Sequence, residues 1–280
     1  MSWLMPRSLA EALEMIQEHS PRMVSGGTDL FVNGQIQRLD SANKDWLDLR
    51  NVQELREVCQ DEEGLHIGAA VTAAEIWGSD TYRCVPALQQ AARIVGGWQI
   101  QNRASLGGNV ANASPAADMV VPLIAYRAEV RLAGAYGTRS LPIAEFIKGP
   151  KLTELQQGEI ITALFIPQRM LGIPQIFLRH DQRTATDISI VSVALVLEGK
   201  GRYADWASAA VGAAAPKPFT LSPEEEQQWI GEIDADKLET LASLYEQHSS
   251  PITDVRASAA YRRSLVKTYI KRAASALLES

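Results

Sequence analysis

Cysteine is scarce in this chain and long apolar runs are missing, and both shortages narrow what it can do. Its two cysteines, Cys59 and Cys84, lie far apart in the sequence. Two thiols cannot by themselves hold an iron–sulfur cluster or a four-cysteine zinc site. The expected state is a reduced pair in the cytoplasm. No run reaches the roughly 20 apolar residues that a bilayer-spanning helix requires. The opening stretch, "MSWLMPRSLAEALEMIQEHS", lacks a basic start, an apolar core and a small-residue cleavage site, so no signal peptide is expected. Positive charge is short as well. The net charge is −6 and the pI near 5.4, which argues against a nucleic-acid or anionic-membrane surface, since both need a basic face. The dinucleotide fingerprint G-x-G-x-x-G and the P-loop pattern are absent. No catalytic triad emerges, and the scattered His19, His66, His180 and His248 are expected to be surface or structural residues.

What remains is an ordinary globular composition, 46% hydrophobic and 21% charged over 280 residues, enough for one large domain or two modest ones. Ser8 with Glu11 forms a capping-box pattern ahead of a helix to His19, whose Leu9, Leu13 and Ile16 share a face. Arg22 to Ser25 reads as a short strand running into Gly26-Gly27, with a helix expected from Thr28 or Asp29. Further strands are expected at Trp46–Leu49, Leu65–Gly68, Glu129–Leu132, Arg139–Leu141 and Glu159–Pro167. A second capping box, Thr72 with Glu75, starts another helix, and Val85 to Val95 reads as a helix closed by Gly96-Gly97. Asp118 to Ala125 reads as a short apolar helix. A seam follows Pro167. Beyond it, "ISIVSVALVL" and Ala207–Ala215 read as strands, and Ser222–Gln247 and Arg256–Leu278 as helices. The layout is mixed α and β with a mostly helical end.

Two stretches stand out: "VSGGTDLF", Val24 to Phe31, and "ASLGGNVANASPAAD", Ala104 to Asp118. The second is rich in Ser, Asn, Ala and Gly and reads as loop and turn backbone over a packed floor. Glycine lets backbone N–H groups face a ligand without a Cβ in the way, and successive N–H groups at a turn suit phosphate. Two such loops could embrace a pyrophosphate, with Ser25, Thr28, Ser105, Asn109 and Asn112 donating hydrogen bonds nearby. Either pair alone reads first as a plain turn, since glycine pairs commonly mark turns.

Together the two stretches resemble the FAD-binding medium subunit of the molybdenum hydroxylases, the group that holds xanthine, carbon monoxide and nicotinate dehydrogenases. "DVRASAAYRRSLVKTYIKRA" and "AAVGAAAPKPF" resemble the same family's terminal helices and the strand and turn before them. The resemblance covers nearly the whole chain in order. It implies an α+β fold: a two-part α/β FAD-binding region over residues 1–167, then a domain of small antiparallel sheet plus helical bundle over 168–280. It also implies residue roles. Met23, Val24, Ser25, Gly26, Gly27, Thr28, Asp29 and Leu30 would wrap the FAD pyrophosphate through backbone N–H groups. Ser105, Leu106, Gly107, Gly108 and Asn109 would form the other half of the cradle. Asp118 would lie on the flavin side, and Ile161 near the flavin ring or adenine. Arg179 falls where the family often has lysine, and as a cation there it would favour the anionic reduced flavin. His180 to Ile190 corresponds to a loop that influences acceptor access.

The resemblance further implies partners: a small [2Fe–2S] subunit and a large molybdopterin subunit, in a dimer of heterotrimers. Electrons would leave through this chain to NAD, a quinone-type carrier or oxygen. Departures are Gln101 where the family usually has arginine, and Ser105 for threonine. Trp98 is expected in the core, with cover of a flavin face as the other reading. Two competing functions stay open: a stand-alone FAD oxidoreductase, and a non-catalytic scaffold that has lost FAD.

Overall fold

The computed structural model describes residues 2–32, 45–183 and 186–279. Ser8 accepts from the Glu11 N–H and starts helix α1, Leu9–His19, but the Glu11 carboxylate turns to the N–H of Arg7, so only half of the expected capping box forms. The apolar face of α1 packs Ala12 and Ile16 against Leu47. Beneath it lie β1 (Trp3–Leu4), β2 (Arg22–Val24) and β3 (Trp46–Asp48), parallel in the order β1-β3-β2. Thr28 to Phe31 is a turn, and the rest of the helix expected from Thr28 or Asp29 lies outside the described residues.

The second sheet is antiparallel. It takes β4 (Val58–Gln60), β5 (Gly64–Gly68), β6 (Glu129–Gly134), β7 (Gly137–Pro142) and β10 (Ile160–Pro167) in the order β4-β5-β10-β6-β7. A two-stranded ribbon, β8 (Ile147–Gly149) with β9 (Leu152–Thr153), precedes β10. Helices α2 (Ala73–Gly78), α3 (Pro86–Arg93) and α4 (Trp98–Gln101) connect the sheet to a further helix, α5 (Leu106–Ala111). The Thr72–Glu75 capping box is complete. The second glycine stretch is thus not loop throughout. Ser105 caps α5, and Gly107-Gly108 sit in its first turn.

Helix α6 (Val120–Ala125) is buried along its whole length. It rests on the third sheet, β11 (Gln175–His180), β12 (Val191–Lys200), β13 (Tyr203–Gly212) and β14 (Phe219–Thr220), with β15 (Gly231–Glu232) beside β13. The run "VSVALVL" explains itself there. Val191, Val193, Leu195 and Leu197 enter the core of the C-terminal helices, while Ala194 and Val196 enter the core shared with α6. A strand covered on both faces has no polar side to show, so its sequence does not alternate. The helix expected over Ser222–Gln247 is broken: α7 (Ile143–Phe146) lies earlier, and α8 (Pro223–Glu226), β15 and α9 (Ala235–His248) divide this stretch. Helix α10 (Ala259–Leu278) closes the core.

Candidate functional site

The turn after β2 faces the start of α5. A Cβ on Gly26 would collide with the carbonyl oxygen of Arg103, and one on Gly107 would stand 2.5 Å from the Ala69 Cβ. Glycine is required because backbone meets backbone at both places. The two segments therefore meet, but they are built differently. Among the described residues, the N–H groups of Gly26 to Leu30 donate to no protein acceptor. In the second segment the N–H groups are already engaged. Leu106 donates to Val71 O at 2.8 Å, Gly107 to Ala69 O at 2.8 Å, Gly108 to Ser105 Oγ at 3.2 Å and Asn109 to Ser105 O at 2.9 Å. Of the two segments expected to embrace a pyrophosphate, the first is thus an open turn and the second a hydrogen-bonded floor. Met23 and Val24 are strand residues paired with Leu47 and Asp48.

Both segments carry a buried polar atom without a partner: Ser25 Oγ on the first and Asn109 Oδ1 on the second. Orphaned buried polar atoms are uncommon, and a water or a bound group commonly supplies the missing partner. Lys151, which sequence reasoning passed over, joins the segments. Its Nζ donates to Asp29 Oδ2 at 2.7 Å and to Asn112 Oδ1 at 2.5 Å.

Asp118 and Arg179 also come together. Arg179 Nη1 donates to Asp118 Oδ2 at 2.9 Å and to Ile94 O at 3.1 Å, while Nη2 reaches Asp181 at 2.6 Å. The Ser189 hydroxyl donates to Asp118. Burial pushes the Asp118 carboxyl up to about 6, and Arg179 and Ser189 only partly offset it. At neutral pH the pair is ionic. Burial works against the guanidinium too, yet Asp118 and Asp181 hold Arg179 above its usual value. Arg179, expected to favour the anionic reduced flavin as a cation, carries that charge between two carboxylates, Asp118 and Asp181.

Ile161 is buried in the main core and pairs with Leu132 across the sheet. Trp98 departs from the expected core position. It is 60% exposed and stands edge-on to Trp77, 5.5 Å between ring centres. Gln101, in place of arginine, is buried. It accepts from Trp77 Nε1 at 3.1 Å and donates to Arg93 O at 2.7 Å, so it fixes the Trp77 side. His180 lies between the Tyr269 and Tyr261 hydroxyls, at 3.2 and 3.1 Å. In the loop that follows, 184 and 185 lie outside the described residues.

Residues 1–169 match the family model of the FAD binding domain in molybdopterin dehydrogenase, and residues 177–277 match that of the CO dehydrogenase flavoprotein C-terminal domain. The chain is 32% identical to the glyceraldehyde dehydrogenase medium chain of Sulfolobus acidocaldarius, over 97% of this chain and 96% of that one. It is 30% identical to the xanthine dehydrogenase FAD-binding subunit of Escherichia coli O157:H7, over 96% of this chain and 92% of that one. A carbon monoxide dehydrogenase chain from Hydrogenophaga pseudoflava superposes with a TM-score of 0.90 at 22% identity, covering 99% of this chain and 96% of that chain, which shows a shared fold. By its sequence and its two matched domains, the chain belongs to the FAD-binding oxidoreductase subunits of the molybdenum hydroxylase family.

Proposed function

We propose that this chain is the electron outlet of a heteromeric molybdenum hydroxylase. In this reading a small subunit with [2Fe–2S] clusters delivers electrons, a large molybdopterin subunit oxidises the substrate, and NAD, a quinone-type carrier or oxygen takes the electrons away. The subunits form a dimer of heterotrimers in the cytoplasm. The free thiols of Cys59 and Cys84 suit that compartment. Among the described residues no helix is long and apolar enough to cross a membrane. Residues 1–167 carry the cofactor and 168–280 form the second domain.

The observation that carries the reading is the open N–H turn of Gly26 to Leu30 facing the second segment, with orphaned Ser25 Oγ and Asn109 Oδ1 beside it. These residues fit FAD: the turn N–H groups and the Ser25 hydroxyl can donate to phosphate oxygens, Asn109 Oδ1 can accept from a cofactor N–H or O–H, and the close backbone approach excludes Cβ atoms. Val24 to Leu30 would hold the diphosphate. Ser105 to Asn109 would supply the floor, with Asn109 the group that faces the cofactor. Asp118, fixed by Arg179 and Ser189, would orient the flavin end, and Ile161 would back it from the core. Bound FAD would supply hydride or single-electron transfer. The chain's own part is to bind, orient and shield it.

Purification from the native host, with a visible spectrum and metal analysis, tests the reading. Visible flavin absorbance with iron and molybdenum in co-purifying subunits is the expected result. A yellow, partnerless and metal-free chain would indicate a stand-alone flavin oxidoreductase. A colourless chain that refuses added FAD would leave the scaffold reading.

A further inference from the structure

Lys151 is an odd residue in an odd place. It occupies the turn between β8 and β9, after Pro150, with φ +60°. Turns with proline before such a position favour glycine or asparagine there, because a Cβ is strained at positive φ. The strain is held in place by the Lys151 N–H, which donates to Ala113 O at 2.9 Å. What the lysine supplies instead is a cation. Its Nζ bridges Asp29, on the open turn, and Asn112, at the end of α5. The side chains of Lys151 and Asp29 are each about half exposed, 50% and 52%. An ion pair so exposed returns less stability than the backbone strain removes. The arrangement is therefore poorly explained by stability alone.

An ammonium has three donors, and two are in use here. The third is available to an anion lying against the Gly26–Leu30 turn. That turn offers N–H groups but carries a carboxylate, Asp29, which would repel a doubly charged diphosphate. Given the FAD reading above, on which this inference rests, we infer that Lys151 is the counter-cation of the FAD diphosphate. Without FAD it clasps the two segments through Asp29 and Asn112. With FAD it offsets the Asp29 carboxylate and gives its third donor to a phosphate oxygen.

The test uses the full chain freed of flavin, titrated with FAD and with riboflavin, which has no phosphate, at several salt concentrations. Lys151→Met is expected to weaken FAD by about tenfold, the size of one charge-assisted hydrogen bond, and to flatten the salt dependence. Lys151→Arg should stay within about threefold of the parent, since the charge is kept. Riboflavin affinity should be unchanged in both. Lys151→Gly separates binding from folding. It relieves the turn, so its melting temperature should match or exceed the parent while FAD affinity falls as in Lys151→Met. Unchanged FAD affinity and salt dependence in Lys151→Met would overturn the inference, as would an equal loss of riboflavin affinity. A parent chain that binds no FAD at all would overturn the FAD reading itself.

Discussion

Two charged clusters flank the glycine segments, and they differ in burial. Asp118, Arg179 and Asp181 have side chains only 9%, 5% and 16% exposed. Their hydrogen bonds tie β11 to the segment before α6 and to the Ile94 carbonyl. Asp29 and Lys151 lie at the surface, half open to water, with Asn112 partly buried beside them. Each has a cation held among oxygen acceptors. The comparison teaches that burial, rather than the presence of charge, decides what such a cluster does. The buried one cannot give up a partner cheaply, so it fixes geometry. The open one can exchange a partner at little cost, so it is suited to meeting a ligand.

Breaking the buried cluster is the strongest test of that contrast. Arg179→Met leaves Asp118 and Asp181 facing each other without a cation. The expected loss is about 3–5 kcal/mol of folding stability, read by chemical unfolding of the flavin-free chain. A loss below about 1 kcal/mol would show that water reaches the site and that the cluster is not locked.

The same cluster should make stability depend on acidity. The Asp118 carboxyl is raised from 3.8 to about 6, chiefly by burial. The folded chain therefore binds this proton more tightly than the unfolded chain. Its contribution is fully present below pH 3.8 and fades as pH rises through about 6, with no further change above. The parent minus Asp118→Asn difference in unfolding free energy should fall across that window by on the order of 1–3 kcal/mol. A flat difference from pH 4 to 7 would mean that Arg179 fully offsets the burial.

The floor segment should respond at an intermediate level. Ser105 Oγ accepts the Gly108 N–H and caps α5. Ser105→Ala is expected to cost about 1 kcal/mol, the usual value of an N-cap, seen as a lower unfolding midpoint. An unchanged midpoint would mean that Thr72, bridged to Ser105, and the Val71 and Ala69 carbonyls hold the segment without the cap.

How much of this was legible beforehand follows from range. Caps, turns and strands set by neighbours in sequence were readable, such as the Thr72–Glu75 box and the strand ending at Pro167. The position of the glycine segments was readable too, because Gly-Gly has a local meaning. Their difference was not. It depends on Val71 and Ala69 carbonyls more than thirty residues upstream taking the N–H groups of α5. Strand β11 was missed because "QIFLRH" mixes polar and apolar residues, and only its pairing with β12 shows why: Arg179 and His180 turn to partners on other elements. Trp98 misled in the opposite direction, since a large aromatic normally packs inside. Lys151 gave no signal because its partners are 122 and 39 residues away.

The gentlest change sharpens the comparison from the open side. Asp29→Asn keeps the shape of the Lys151 contact and removes one negative charge. Both side chains are half exposed, so the unfolding free energy should move by less than about 1 kcal/mol. Binding should move the other way from Lys151→Met. Removing a carboxylate beside the open N–H turn lowers repulsion of a diphosphate and releases the lysine, so FAD should bind about two- to fivefold more tightly, most clearly at low salt. A large loss of stability in Asp29→Asn would place the open cluster in the same structural role as the buried one. Small stability changes together with opposite shifts in FAD affinity for the two variants are what a cluster built for exchange requires.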